Sequence, residues 1–257
     1  LLMKQVEHQQ LVGFCFRGDG FAANNCAHVF GARNASDQGN FAFSGGRDIS
    51  AATSVRKLWC EYLGANPALL VVGGQTHTNN VVVVDDQLEG RGALSPSTVI
   101  PECDGLITTT PGLPLYVAVA DCSAVLLSAP GIVAVVHGGW RGLQLNILRV
   151  AIDKMVDLEA DPQQICAGIA PCISAASYEV GPEVAADCPT PAKYQGRDDR
   201  WQVDITEWAK QQLIESGLSS ANIEVSGVDS GSDQRIFSHR RQGVTAGRNG
   251  LLAVLND

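Results

Sequence analysis

Leu115-Tyr116-Val117-Ala118-Val119-Ala120-Asp121-Cys122 and Ile132-Val133-Ala134-Val135-Val136-His137-Gly138-Gly139-Trp140-Arg141-Gly142 lie close together in the chain. Each opens with a strand-length run rich in branched residues. The first run leads into a thiol, Cys122, and the second into an imidazole, His137. The glycines then read as a tight turn into a helix, because Leu143, Ile147, Val150, Ala151 and Met155 recur at helical spacing. Two strands that finish in Cys and His describe a site built at strand ends. A further segment, Gly73-Gly74-Gln75-Thr76-His77, follows Leu69-Leu70-Val71-Val72 and brings a second histidine into a glycine-flanked loop. One Cys and two His are nitrogen and sulfur donors that suit a zinc ion with an open position.

Working outward, the pattern predicts a strand over Leu11–Phe16 and a turn at Arg17-Gly18-Asp19-Gly20. An extended loop is expected over Asn24–Gly46, with one strand at Asn40–Phe43. A helix over Ile49–Leu63 starts near Ser50 and stops at Gly64. Strands are expected at Ala68–Val72, Val81–Val84, Gly105–Thr109, Ala124–Ser128, Gln164–Ile169, Ile223–Val228 and Leu251–Val254. Asp85–Glu102 reads as a polar excursion. Asp204–Ser216 reads as a helix capped by Asp204 and stopped by Gly217. Strands do not alternate strictly with helices, so a mixed α/β (α+β) layered fold is expected rather than a doubly wound one. There is no internal repeat, no GxGxxG and no Walker-type loop.

The 257 residues are 45% hydrophobic, enough to bury a large core, and no linker divides them; one domain over 1–257 is expected. A net charge of -9 and the lack of a Lys/Arg cluster argue against a nucleic-acid partner. The apolar runs are too short and interrupted for a membrane span. Leu1-Leu2-Met3-Lys4-Gln5-Val6-Glu7-His8 shows no secretory pattern, so the cytoplasm is the expected compartment. Eight cysteines without a CxxC pair, in a chain that is neither small nor visibly secreted, read mostly as buried apolar groups. Cys122 stands apart because of its neighbourhood.

Several roles remain open at this level. The Gly138–Gly142 turn with Arg141 is either an anion or phosphate site or a plain strand-to-helix turn beside a solvated arginine. Cys122 is a metal ligand, a nucleophile with His137 as its base, or a buried hydrophobe. Asp104 orients a ligand histidine, contacts a substrate, or serves only as a turn residue. In Phe237-Ser238-His239-Arg240-Arg241 the arginines meet either an anion or a carboxylate of the same chain.

In one order the chain carries Gln75-Thr76-His77, Ala120-Asp121-Cys122, His137-Gly138-Gly139-Trp140-Arg141-Gly142, Ala170-Pro171-Cys172-Ile173, Tyr178-Glu179-Val180-Gly181 and Phe237-Ser238-His239-Arg240-Arg241. Together, from Gly13 to the C-terminus, these resemble the YfiH/FAMIN family, long labelled a polyphenol oxidase or laccase-domain family. The resemblance implies a layered α/β/β/α sandwich, distantly similar to cytotoxic necrotizing factor toxin catalytic domains. It implies a zinc site, with copper possible, made by His77, Cys122 and His137, and substrate contacts from Gln75, Asp104, Arg141 and Arg56. The activities it implies are phosphorolysis of adenosine, inosine or methylthioadenosine and deamination of adenosine, with nucleoside and phosphate as the small-molecule partners. Editing of peptidoglycan precursors and copper-dependent polyphenol oxidation are the alternatives. A multicopper oxidase needs more histidines than the five present. The chain departs from the family pattern at Val55-Arg56, where Asn usually precedes the Arg, and at His239, usually Tyr. It also has Val228-Asp229-Ser230 where Cys-Thr is usual.

Overall fold

The computed structural model describes residues 3–33, 39–43 and 48–257. One six-stranded sheet contains β1 (Lys4–His8), β2 (Leu11–Cys15), β3 (Cys26–Gly31), β4 (Val71–Val72), β7 (Leu115–Val119) and β15 (Asn249–Leu255). Its order is β1-β2-β3-β15-β7-β4. A second six-stranded sheet holds β5 (Val81–Val83), β6 (Gly105–Thr108), β8 (Ser123–Ala129), β9 (Ile132–Gly138), β10 (Cys166–Ile169) and β14 (Ile223–Val225). Its order is β14-β10-β8-β9-β6-β5. A small third sheet joins β11 (Glu179–Val180), β12 (Lys193–Gln195) and β13 (Trp201–Val203). The helices are α1 (Asp19–Ala23), α2 (Ile49–Tyr62), α3 (Trp140–Gln144), α4 (Ile147–Asp157), α5 (Pro182–Ala185), α6 (Ile205–Glu215) and α7 (His239–Gln242).

Side-chain parity shows how the two large sheets stack. From β9, Val133 and Val135 join one core with Leu126 of β8, Val117 of β7 and Leu251 of β15, so the sheets pack face to face. The intervening residues Ile132, Ala134 and Val136 face the other way, toward Leu148, Ile152 and Met155 of α4 and Trp208 and Leu213 of α6. On the far side Tyr116, Leu252 and Val254 meet Val55 and Trp59 of α2. The layers therefore run helix, sheet, sheet, helix. Central strands buried on both faces need no polar alternation, which is why β7, β8 and β9 read as continuous apolar runs.

Several elements differ from expectation. The predicted Asn24–Gly46 loop contains β3, paired to β2 and β15. Its Ala27 and His28 dilute the apolar run that would have revealed it. Asn40–Phe43 is not a strand, although Phe41 and Phe43 are buried. Positions 34–38 and 44–47 of that loop lie outside the described residues. The predicted Ala68–Val72 strand is mostly a short 3-10 turn at Pro67–Leu69, leaving only two strand residues. The long helix after Trp140 is two helices, broken at Asn146, whose φ of 59° is left-handed. Asp48 caps α2, accepting the Ser50 and Ala51 N–H groups.

Candidate active site

Two connections cross from the first sheet to the second, and the three proposed ligands sit on or beside them. Residues 73–80 leave β4 and enter β5; residues 120–122 leave β7 and enter β8. Strand register brings them together. In the β8–β9 hairpin Ser123 opposes Gly138 and Ala124 opposes His137, so Cys122 lies at the end of the sheet where β9 finishes. On the other side of β9, Gly105 of β6 opposes Val136, and the His137 N–H donates to the Asp104 carbonyl at 2.7 Å. The parallel pair β5–β6 sets Val81 against Gly105 and draws the His77 loop to the same corner.

Asp104 organises this corner. It is fully buried, and its carboxylate accepts five hydrogen bonds. Oδ1 takes the His77 N–H at 3.0 Å and the His137 Nδ1–H at 2.8 Å. Oδ2 takes the Thr76 and Thr78 N–H groups at 3.1 and 2.9 Å and the Thr78 hydroxyl at 2.8 Å. Burial pushes this carboxyl up, but the bonds from His137 and Thr78 outweigh it and hold the group down at about 2. One ionised side chain thus shapes the loop that presents His77, at a left-handed φ of 65°, and fixes the His137 ring by its Nδ1, leaving Nε2 to face Cys122.

The free donor atoms of His77, Cys122 and His137 all lie within 4.8 Å of one another. Cys122 Sγ is 4.0 Å from His77 Nε2, and the two imidazoles meet edge to face at 4.9 Å between centroids. A tetrahedral zinc holds N and S donors about 3.5 Å apart, so the 4.0 Å Cys122–His77 pair must draw in by about half an ångström and the widest pair by up to about 1.3 Å. A carboxylate behind a ligand histidine is the usual support of such a centre. The residues fit a metal ion. Burial alone would raise the Cys122 thiol; the neighbouring His137 and the hydrogen bonds from both histidines bring it below its ordinary value. Burial would likewise lower His137, yet Cys122 and Asp104 raise it. Gly139 closes the floor: a Cβ there would stand 2.8 Å from His77 Cδ2 and 3.1 Å from Cys122 Sγ, so only glycine leaves both side chains in place.

The other nominated residues divide. Arg141 is exposed beside this corner, its guanidinium 4.1 Å from the Trp140 ring centroid. Gln75 is scaffold rather than a free contact: both ends of its amide bond the Ala118 backbone at 2.7 Å, tying the His77 loop to β7. Arg56 lies outside the cluster, buried under the first sheet. There it donates to the Phe41 and Gly92 carbonyls and packs on Phe43, 3.7 Å from that ring's centroid. Asp121 was not singled out from sequence. It holds a left-handed φ of 86° just before Cys122, and its carboxylate accepts the Ser230 hydroxyl and the Arg240 N–H, both at 2.6 Å. The Asp121-Cys122 pair and the distant Ser230 and Arg240 were visible as motifs; only the fold shows that they meet.

The family model described as multi-copper polyphenol oxidoreductase laccase matches residues 27–256. The chain belongs to this laccase-domain family. Among its relatives, a purine nucleoside phosphorylase of Corynebacterium glutamicum is 33% identical over 214 residues, covering 80% of this chain and 83% of that protein. Adenosine deaminase RL5, from an unknown prokaryotic organism, is 29% identical over 227 residues, covering 84% of this chain and 86% of that protein. The crystal structure of YlmD from Geobacillus stearothermophilus shares the fold with a TM-score of 0.92 at 22% identity, over 100% of this chain and 99% of that one. Where family members usually carry Cys-Thr, Ser230 keeps a hydroxyl on Asp121. Asp229 there binds the Ser174 N–H at 3.0 Å and the Ser177 hydroxyl at 2.6 Å, bracing the segment before Tyr178. His239 opens α7 and Val55 packs under the first sheet; neither is part of the donor cluster.

Proposed function

We propose that this chain is a zinc-dependent enzyme of purine nucleosides, working as one domain over residues 1–257. It phosphorolyses adenosine, inosine or methylthioadenosine and deaminates adenosine. The observation that carries this reading is the convergence of His77, Cys122 and His137 in front of Asp104, in a chain whose relatives bear the names of both activities. Zinc held by the three side chains would supply Lewis acidity and an activated water for attack at the amino-bearing purine carbon. The protein's own part is positional. Asp104 keeps His137 Nδ1 protonated and its Nε2 directed at the centre, and Gly139 leaves room above His77 and Cys122. Arg141, whose guanidinium is unpaired among the described residues, offers it to phosphate, the co-substrate of phosphorolysis. The same donor set takes copper, which binds N/S ligands more tightly than zinc in the usual order, so an oxidase signal from copper-loaded protein is expected as a side activity. Eight free thiols suit the cytoplasm. Among the described residues no helix is long and apolar enough to cross a membrane.

A second reading has one observation in its favour: Asp104, His137 and Cys122 are also arranged as orienter, base and thiol nucleophile, the array of an amide hydrolase that would suit peptidoglycan precursors. Metal analysis of protein purified without added metal separates the two, run together with turnover of adenosine plus phosphate followed by chromatography. The nucleoside reading expects about one zinc per chain, with inosine, adenine or hypoxanthine formed, and loss of both zinc and turnover in His77→Ala and Cys122→Ala. Full turnover without stoichiometric zinc, or retained activity in either variant, overturns it.

A further inference from the structure

Arg240 and Arg241 are consecutive in α7, and the structure sorts them. Arg241 is committed to the fold: Nη1 donates to the Ser230 and Asp233 carbonyls and Nη2 to that of Ile236. Among the described residues Arg240 makes a single guanidinium hydrogen bond, from Nη1 to the Glu179 carbonyl at 3.0 Å, and stands over the Tyr178 ring at 5.0 Å from its centroid. Its backbone N–H is tied to Asp121 Oδ2, and Asp121 directly precedes Cys122. Arg141 comes from another element, α3, two residues beyond Gly139, whose Cβ position is 3.1 Å from Cys122 Sγ. Tyr178 lies among them: burial pushes its phenol up to about 12, Cys122 adds to the rise, and Arg240 and Arg141 oppose it.

Among the described residues neither guanidinium is within 4.0 Å of a carboxylate. That is notable in a chain with 27 acidic and 18 basic side chains. Arginine has five N–H donors in a fixed fork. A fork held by Tyr178 and Glu179 with donors unused, and a second unpaired guanidinium that acts on the same Tyr178, fit an anion with several oxygens.

We infer that Arg240 is the second arm of the phosphate site, facing Arg141 across the Cys122 corner. The inference rests on the nucleoside-phosphorylase reading and extends it. In the step served, a phosphate oxygen forms a bond to ribose C1′ while the C1′–N9 bond breaks. The electron pair of that bond stays on N9, which takes a proton from solvent, and the sugar 1-phosphate and free purine leave. Arg240 donates to the phosphate oxygens that do not attack. Deamination consumes water and no phosphate, so Arg240 belongs to one of the two reactions and sets the balance between them.

The test is steady-state phosphorolysis of inosine with inorganic phosphate varied, comparing wild type with Arg240→Gln, Arg240→Lys and Arg149→Gln. Arg149 is paired with Asp153 on the exposed face of α4 and controls for loss of one positive charge. The expected result is a rise of at least tenfold in phosphate KM for Arg240→Gln, partial recovery in Arg240→Lys, and a nucleoside KM within about twofold of wild type. Arg149→Gln keeps the wild-type phosphate KM. Zinc content and thermal midpoint are measured on every variant, and if Arg240→Gln does not fold, Arg240→Lys alone decides, with an expected rise of at least threefold. A phosphate KM within twofold of wild type in the folded variants overturns the role of Arg240 alone. A wild-type protein that leaves inosine intact at every phosphate concentration overturns the parent reading and this one with it.

Discussion

At the scale of single residues, Asp104 makes the strongest prediction, because five donors converge on one carboxylate that has no room to rotate. In Asp104→Asn one oxygen becomes an NH2 group facing N–H donors, so either the His77 loop or the His137 ring loses its partner. Metal affinity is expected to fall 10- to 100-fold, read as zinc retained after dialysis against a graded chelator series. Unchanged retention removes Asp104 from the support of the metal. Gly139→Ala tests the same corner sterically: its methyl enters the space of His77 and Cys122, so zinc content drops while the thermal midpoint stays within about 2 °C of wild type. A variant that keeps its zinc shows that the corner relaxes around the methyl. The three donors of the cluster, His77, Cys122 and His137, were legible because each closes an apolar run or sits in a glycine-flanked loop. Asp104 was half legible, as one of several roles. The backbone partners of Gln75 and Arg56 were not legible, since nothing local tells that the fold brings Ala118 to the Gln75 amide and the Phe41 and Gly92 carbonyls to the Arg56 guanidinium.

At the scale of elements, the parts that sequence reveals are those whose signal is local. α6 is one: Asp204 accepts the Glu207 N–H at 3.0 Å, and Trp208, Ala209, Gln212 and Leu213 form its buried face. Asp204→Ala is expected to cost about 1 kcal/mol of stability, measured as a shift in urea midpoint at constant slope. No shift means that the Asp204 Oδ1 bond is replaced by water without loss. The elements that escaped depend on partners far along the chain. β1 is an edge strand with mostly exposed residues, and the β11-β13-β12 sheet is made of two- and three-residue strands. The break at Asn146 interrupts an apolar periodicity that runs straight through it; Gln212 of α6, bonding the Leu143 carbonyl and Leu148 N–H on either side, is what stabilises the break.

At the scale of the whole molecule, the two facing sheets set both the site and the response to acid. The crossovers that carry His77 and Cys122 exist because the chain must pass between sheets, so the site inherits its geometry from the sandwich. The same sandwich buries His28 on β3, between the Phe16 and Phe21 rings, where its Nε2 accepts the Phe16 N–H at 3.0 Å and its Nδ1–H faces the Cys26 carbonyl at 3.2 Å. That pattern requires the neutral ring, and burial lowers its pKa below 6.5 despite the bond to the Cys26 carbonyl. The unfolded chain takes up a proton on this residue near pH 6.5 while the folded chain resists, so its contribution is intact above that pH and is lost as pH falls below it. Carboxylates such as Asp104, held down at about 2, act in a lower window and leave this one clean. His28→Phe removes the titrating group and leaves the Phe16 N–H without its acceptor, so the variant is expected to be less stable than wild type at pH 7.5. Between pH 6.5 and 5.5 the gap should close by about 1 kcal/mol, since each pH unit is worth up to about 1.4 kcal/mol for one proton. Urea unfolding of both proteins at pH 7.5, 6.5 and 5.5 measures it. A gap that stays constant would mean that His28 accepts its proton in the folded state, with the Phe16 N–H turned to another acceptor.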